Sequence, residues 1–191
     1  TGVLFRFQEK QLTVVATDGH RLVRYIRNDF EGKEFSGDVI IPKKFLNLMN
    51  TMLVANENIQ IWMGDNNLTA NIGEDIIFTR IIDERFPDFE SVIPTDNDKE
   101  ILVERSKLLS AVKRVSIFSN RSTQQIALEI STEKTIVRTE DREKASKARE
   151  EIDTKLNGDD ITVGYNAAYL KEVLMHLKSQ NIVLHLKTAI S

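Results

Sequence analysis

Short runs in which apolar and β-branched residues alternate with polar ones recur along the chain. They are VLFRF (3–7), LTVVAT (12–17), LVRYI (22–26), IQIWM (59–63), LTANI (68–72) and IIFTRII (76–82), then IALEI (126–130), TIVRT (135–139), ITVGY (161–165) and IVLHL (182–186). A period of two over about four to eight residues marks a strand with one buried face. Turn residues separate several of these runs, and GDNN (64–67) and STEK (131–134) each predict a hairpin. Three stretches shift to helical spacing. In 42–54, Pro42 suits a first helical turn, and Phe45, Leu48, Met49 and Met52 fall on one face. In 104–118, Leu108, Leu109, Val112, Val115 and Ile117 lie near one stripe. In 166–178, Asn166 is a good N-cap, with Leu170, Val173, Leu174 and Leu177 facing inward. The pattern predicts a strand-rich α+β chain.

The pattern also repeats. SGDVIIPKKFLNLM…NENIQIWM (36–63) matches NGDDITVGYNAAYLKEVL…SQNIVLHL (157–186). In both, a Gly-Asp turn leads into a strand, then a helix with an aromatic-Leu pair, then Asn-Ile opening another strand. The pairs Gly37/Gly158, Leu46/Leu170 and Asn58/Asn181 are 121, 124 and 123 residues apart. This near-constant offset predicts two copies of one domain, each of about 120 residues when complete. Two of the three prolines, Pro87 and Pro94, fall in the polar stretch FPDFESVIPTDND (86–98), which is where a domain boundary is expected.

Composition narrows the class. The 191 residues are 41% hydrophobic and 29% charged, ordinary for a globular protein. No apolar run approaches the ~20 residues of a membrane span, and no membrane role is expected. The absence of cysteine excludes disulfides, thiolate metal sites and a cysteine nucleophile, and an intracellular location is expected. The chain starts at Thr1 and ends LKTAIS inside an apparent strand, the reading being a fragment of a longer protein.

Net charge is −3, but it is unevenly spread. Residues 43–54, 105–118 and 167–178 carry +2, +4 and +1, which leaves −10 on the rest. Helices on one side of a sheet would then make a positive face on an acidic protein, the footprint of a phosphate-backbone binder. The plainer alternative is a set of solvated helix faces.

ATDGHRLVRYI (16–26) concentrates polar chemistry in Asp18, Gly19, His20 and Arg21. Asp18 and His20 could form an acid–base pair or ligate a metal. However, no His-x-x-x-His spacing occurs, and His176 and His185 are far along the chain. Gly-rich phosphate loops, Gly-x-Ser-x-Gly and Cys-x-x-Cys are missing too. The favoured reading is a turn in which Asp18 accepts bonds from neighbouring backbone amides. No catalysis, metal or cofactor is expected.

In this order and spacing, ATDGHRL, VIIPKK, DERFPDFESVIP, VSIFSNRS and VGYNAAYLKEVL resemble the bacterial DNA polymerase III β sliding clamp. The resemblance runs from about residue 1 to 191. It implies a head-to-tail homodimeric ring around duplex DNA, with antiparallel sheets outside and helices on the inner face. Residues 1–92 would be most of the second domain and 95–191 most of the third. Clamps hold the replicative polymerase, the clamp loader and repair proteins through short linear peptides. The positions matching the peptide groove are Thr17, Gly19, His20, Arg21, Leu22, Pro87, Ser91, Val92, Thr123, Asn166, Tyr169 and Ile190. Ser91 stands where many members have arginine, and Thr123 where many have a larger residue. Lys43, Lys44, Lys107, Lys113, Arg114 and Lys171 lie on helices that would line the hole, and Ile117 and Phe118 match the apolar pair of the subunit interface. A strand-rich repeat scaffold that binds peptides without encircling DNA is the alternative.

Overall fold

The computed structural model describes residues 2–30, 35–54 and 59–189. The chain divides into two compact units, Thr1–Ile93 and Pro94–Ser191. In the first unit, β1 (Gly2–Gln8), β2 (Gln11–Thr17), β3 (Leu22–Arg27) and β4 (Gly37–Pro42) form an antiparallel sheet in the order β3-β2-β1-β4. Helix α1 (Lys43–Met52) follows β4 directly. The strands β5 (Gln60–Met63), β6 (Asn67–Ile72) and β7 (Asp75–Arg80) then make a three-stranded meander.

The alternation in β1 and β4 decides what each face of the larger sheet touches. Val39 and Ile41 turn to Phe45 and Met49 of α1 and to Leu68, Ala70 and Ile72 of β6, with Phe5 beside them. Leu4, Val15 and Ile40 face the other way, onto Phe89. An isolated bridge, Ile82 N–H donating to Ile40 O at 2.9 Å, brings the chain back across the sheet edge.

The second unit contains β8 (Lys99–Glu104), α2 (Arg105–Ser116), β9 (Gln125–Ile130), β10 (Lys134–Asp141), β11 (Ser146–Asn157), β12 (Ile161–Asn166), α3 (Ala167–His176) and β13 (Asn181–Leu186). Its six-stranded sheet runs β12-β9-β10-β11-β8-β13, with every pairing antiparallel. Leu108, Ala111, Val112 and Val115 of α2 and Leu174 of α3 pack onto Ile101, Val103, Leu128, Val137 and Val163 of the sheet. Arg105 donates from Nη1 to Leu174 O and from Nε to Ser179 O, both at 3.1 Å, which satisfies carbonyls at the end of α3.

The internal repeat is present as structure. β4 and α1 (37–42, 43–52) fall on β12 and α3 (161–166, 167–176) at a constant offset of 124, with equal lengths. The order β3-β2-β1-β4 recurs as β11-β10-β9-β12. The two Gly-Asp landmarks are not equivalent, because Gly37 opens β4 while Gly158 lies three residues before β12. Each glycine is used for a positive φ, 150° and 129°. Asn58, the third landmark, lies outside the described residues.

Both predicted hairpins form, with Gly64 N–H donating to Asn67 O and Ser131 N–H to Lys134 O, each at 2.9 Å. Two strands, β8 and β11, were not expected. In β11 the inward positions Ala148, Glu150, Ile152, Thr154 and Leu156 mix apolar, polar and charged residues, so the apolar period is broken. Four helix positions also differ from the expectation. Leu48 is 48% exposed because α1 packs by the narrower face of Phe45 and Met49. Val173 and Leu177 stay 38% and 40% exposed, since α3 buries Ala167 and Leu174. Ile117 is 77% exposed because it is the C-cap of α2, where the helical period ends.

These burial differences predict a contrast in stability. Leu128→Ala, at the fully buried centre of the second sheet, is expected to cost about 2–5 kcal/mol. Phe78→Ala, on the exposed outer face of β7, should stay within about 0.5 kcal/mol. Urea denaturation of the two variants checks this; equal losses would contradict the assigned core.

Candidate functional site

The loop Thr17–Leu22 joins β2 to β3 and is built around Asp18. Its Oδ1 accepts from the backbone N–H of His20 and of Arg21, both at 3.0 Å, and its Oδ2 accepts from Arg21 Nε at 3.0 Å. Thr17 Oγ1 donates to Arg21 O at 2.8 Å and accepts from Gly19 N–H at 3.1 Å. Gly19 takes φ +86° with open space where a Cβ would stand, so the glycine serves the backbone turn. This is the predicted aspartate turn. The two amide bonds are the main reason the Asp18 carboxyl is held down at about 2, with the Arg21 guanidinium contributing less. A carboxylate tied into its own turn is a poor general base. Among the described residues no group of three or more histidines and carboxylates is arranged to hold a metal.

Leu22 closes the loop by packing on the Leu4, Val15, Ile40 and Phe89 cluster, which Phe86 and Ile93 also join. The cluster therefore brings the loop and the 86–93 segment together. Within that segment Ser91 Oγ donates to Asp88 O at 2.9 Å and Ile93 N–H donates to Glu90 O at 3.3 Å. This tight turn leaves Pro87 and Ser91 exposed and Val92 66% exposed.

In the second unit Thr123, Asn166 and Tyr169 also meet. Asn166 caps α3, its Oδ1 accepting from Ala168 N–H at 2.9 Å and Tyr169 N–H at 3.2 Å. Its Nδ2 donates to Thr123 O at 3.2 Å. Asn120 was missed from the sequence, although its Oδ1 orders the preceding turn through Ser122 N–H at 2.9 Å. The signal was present, since asparagine in SNRST is a typical turn-bonding residue. Ile190 lies outside the described residues.

The basic helix residues divide into two groups. Lys107 pairs with Asp153 at 3.4 Å, and Arg114 Nε with Glu150 Oε2 at 2.9 Å, so β11 neutralises both. The hydrogen bond from Arg114 holds the Glu150 carboxyl below its ordinary range. Lys43, Lys44 and Lys113 are exposed, and Lys171 is half-buried; no ion pair between described residues engages these four. Lys43 and Lys44 open α1, which has no acidic residue in its first turn. Cations at the positive end of a helix are unfavourable by roughly 0.3–1 kcal/mol each, a cost that a bound anion relieves. Ile117 and Phe118, at 77% and 45% exposure, leave an apolar step at the end of α2.

Residues 1–88 match the family described as DNA polymerase III beta subunit, central domain, and residues 90–191 match its C-terminal domain. The chain belongs to the DNA polymerase III beta-subunit family. It is 31% identical to the beta sliding clamp of Salmonella typhimurium over 191 residues, 100% of this chain and 52% of that protein. The Escherichia coli beta sliding clamp is likewise 31% identical, with the same coverage. A crystal structure of the DNA polymerase sliding clamp from Pseudomonas aeruginosa superposes with a TM-score of 0.92 at 28% identity, covering 98% of this chain and 52% of that one. A second structure of the clamp from that organism, bound to griselimycin, gives 0.91 at the same identity and covers 98% of this chain and 51% of that one. The chain spans about half the length of the clamps it matches. Among its described residues no helix is long and apolar enough to cross a membrane.

The loop carries a pH prediction. Because the folded carboxyl of Asp18 lies at about 2, below its ordinary 3.8, the ordering it provides is complete above the ordinary value. It is lost as pH falls through about 2. Amide shifts of His20 and Arg21 followed by NMR should titrate with that low midpoint; a midpoint near the ordinary carboxylate value would contradict the Asp18 turn.

Proposed function

We propose that this chain forms the second and third domains of a DNA sliding clamp, the processivity factor that keeps a replicative polymerase on its template. The observation that carries this reading is the family match, which spans both units in the order the clamp requires. On this reading the full-length protein is a head-to-tail homodimeric ring with sheets outside and helices inside. It encircles duplex DNA without reading its sequence, in the bacterial cytoplasm on nucleoid DNA. The protein performs no chemistry of its own and needs no cofactor. Ile117 and Phe118 serve the subunit interface.

The positions we assign to partner-peptide binding are Thr17, Gly19, His20, Arg21, Leu22, Pro87, Ser91 and Val92 in the first unit; Thr123, Asn166, Tyr169 and Ile190 of the second unit are assigned to it by family resemblance. Leu22 and Val92 offer apolar contact, and the backbone of the Asp18 turn is pre-organised, which lowers the ordering cost of binding. Polymerase, clamp loader and repair proteins would dock there through linear motifs. The griselimycin-bound relative supports a ligand-binding role for the same fold. With Ser91 at the rim instead of arginine, binding depends more on apolar anchors and less on a cationic clamp.

Contact with DNA falls to the cations outside the described ion pairs. Lys43, Lys44, Lys113 and Lys171 meet phosphates, while Lys107 and Arg114 first have to leave Asp153 and Glu150. Each Lys→Glu change at 43, 44 or 113 is expected to reduce the slope of log affinity against log salt by about one. Lys107→Ala should change it by less. Anisotropy with labelled duplex DNA measures these slopes; slopes unmoved at 43, 44 and 113 would favour a peptide-binding scaffold that does not touch DNA.

A further inference from the structure

In the first unit, Arg6 joins the sheet to the 86–93 segment by charge. On β1 it stands directly opposite Asp38 of β4, in the register Arg6↔Asp38. Its guanidinium forks onto that carboxylate, Nε to Oδ1 at 3.0 Å and Nη2 to Oδ2 at 3.0 Å. A fork of this kind uses one edge of the guanidinium and leaves Nη1 free to act elsewhere. Nη1 donates to Glu90 Oε1 at 2.8 Å, and the guanidinium carbon lies 5.2 Å from the centre of the Phe89 ring.

The segment needs such a tie. Among the described residues its backbone pairing with the sheet ends at the Ile82–Ile40 bridge. Beyond that point it is held by Phe86, Phe89 and Ile93 against the apolar cluster and by Arg6 on Glu90. Its own hydrogen bonds only shape a local turn around Asp88 and Glu90. The turn bearing Val92 is thus anchored next to the cluster that also seats Leu22.

We propose that Arg6 is a positioning residue for ligand binding: by holding Asp38, Phe89 and Glu90 together it fixes the 86–93 turn relative to the Thr17–Leu22 loop, so that Val92 is presented without an ordering step. This rests on the peptide-groove reading above. Arg6 itself touches no ligand. Its contribution is to rigidity, and partly exposed ion pairs of this kind add little to global stability.

The test titrates griselimycin by calorimetry into the full-length protein and into its Arg6→Gln, Arg6→Lys and Glu90→Gln variants, with thermal unfolding and hydrogen exchange measured in parallel. Arg6→Gln is expected to weaken binding about tenfold through lost pre-organisation, to speed exchange at 88–93 and to leave Tm nearly unchanged. Arg6→Lys should recover part of the affinity, and Glu90→Gln should weaken binding with no further loss when combined with Arg6→Gln. Binding by Arg6→Gln within twofold of the parent overturns the proposal. If that variant does not fold, Glu90→Gln decides, and parental affinity there overturns it equally. Failure of the groove reading looks different: the parent then binds no griselimycin, or Leu22→Asp binds as well as the parent, and the proposal falls with it.

Discussion

The strand β11 has to serve two sets of neighbours, and the second unit depends on it. Residues 146–153 pair with β10, and residues 154–157 pair with β8. One strand therefore welds the β12-β9-β10 part to the β8-β13 part. The weld is reinforced where the partners change: Thr135 and Thr154 share a buried hydroxyl bond of 2.9 Å, and Thr154 N–H donates to Glu133 O at 3.0 Å. α2 lies over the joined sheet and gains both its apolar floor and its counter-ions from it. The same strand that builds the sheet thus holds two of α2's cations, Lys107 and Arg114, in ion pairs.

Function in this fold is a matter of position. Asp18, chemically the most suggestive side chain, is engaged in shaping its own loop, and Asn166 does the same for the start of α3. Around each, exposed groups are displayed from a backbone already ordered. The basic residues follow the same logic at longer range. Among the described residues Lys43 and Lys44 have no ion-pair partner at a helix end that disfavours them, whereas Lys107 and Arg114 are stored against carboxylates.

Features set by near neighbours along the chain were legible in the sequence itself. The hairpins at 64–67 and 131–134, the Asn166 cap and the Asp18 turn each need only residues within a few positions, whose chemistry is specific. The repeat was legible because β4–α1 and β12–α3 have equal lengths. β11 was hidden because Lys147, Arg149, Glu151, Asp153 and Lys155 fill one face, and the other buries only Ile152 and Thr154. Arg6 was hidden for another reason: Asp38 and Glu90 are 32 and 84 residues away, and only the fold makes them neighbours. Pro87, Ser91 and Val92 are assigned to a groove through resemblance alone, since nothing in their local pattern distinguishes a binding turn from a linker.

A ring stays on DNA by topology, and its retention depends on whether the DNA has ends. The full-length protein that contains this chain is incubated with a clamp loader, ATP and a nicked circular plasmid, then gel-filtered before and after a single linearising cut. A sliding ring co-elutes with the circle at moderate salt and is lost once the DNA has ends. Equal retention on circular and linear DNA would mean ordinary phosphate binding and would contradict the account.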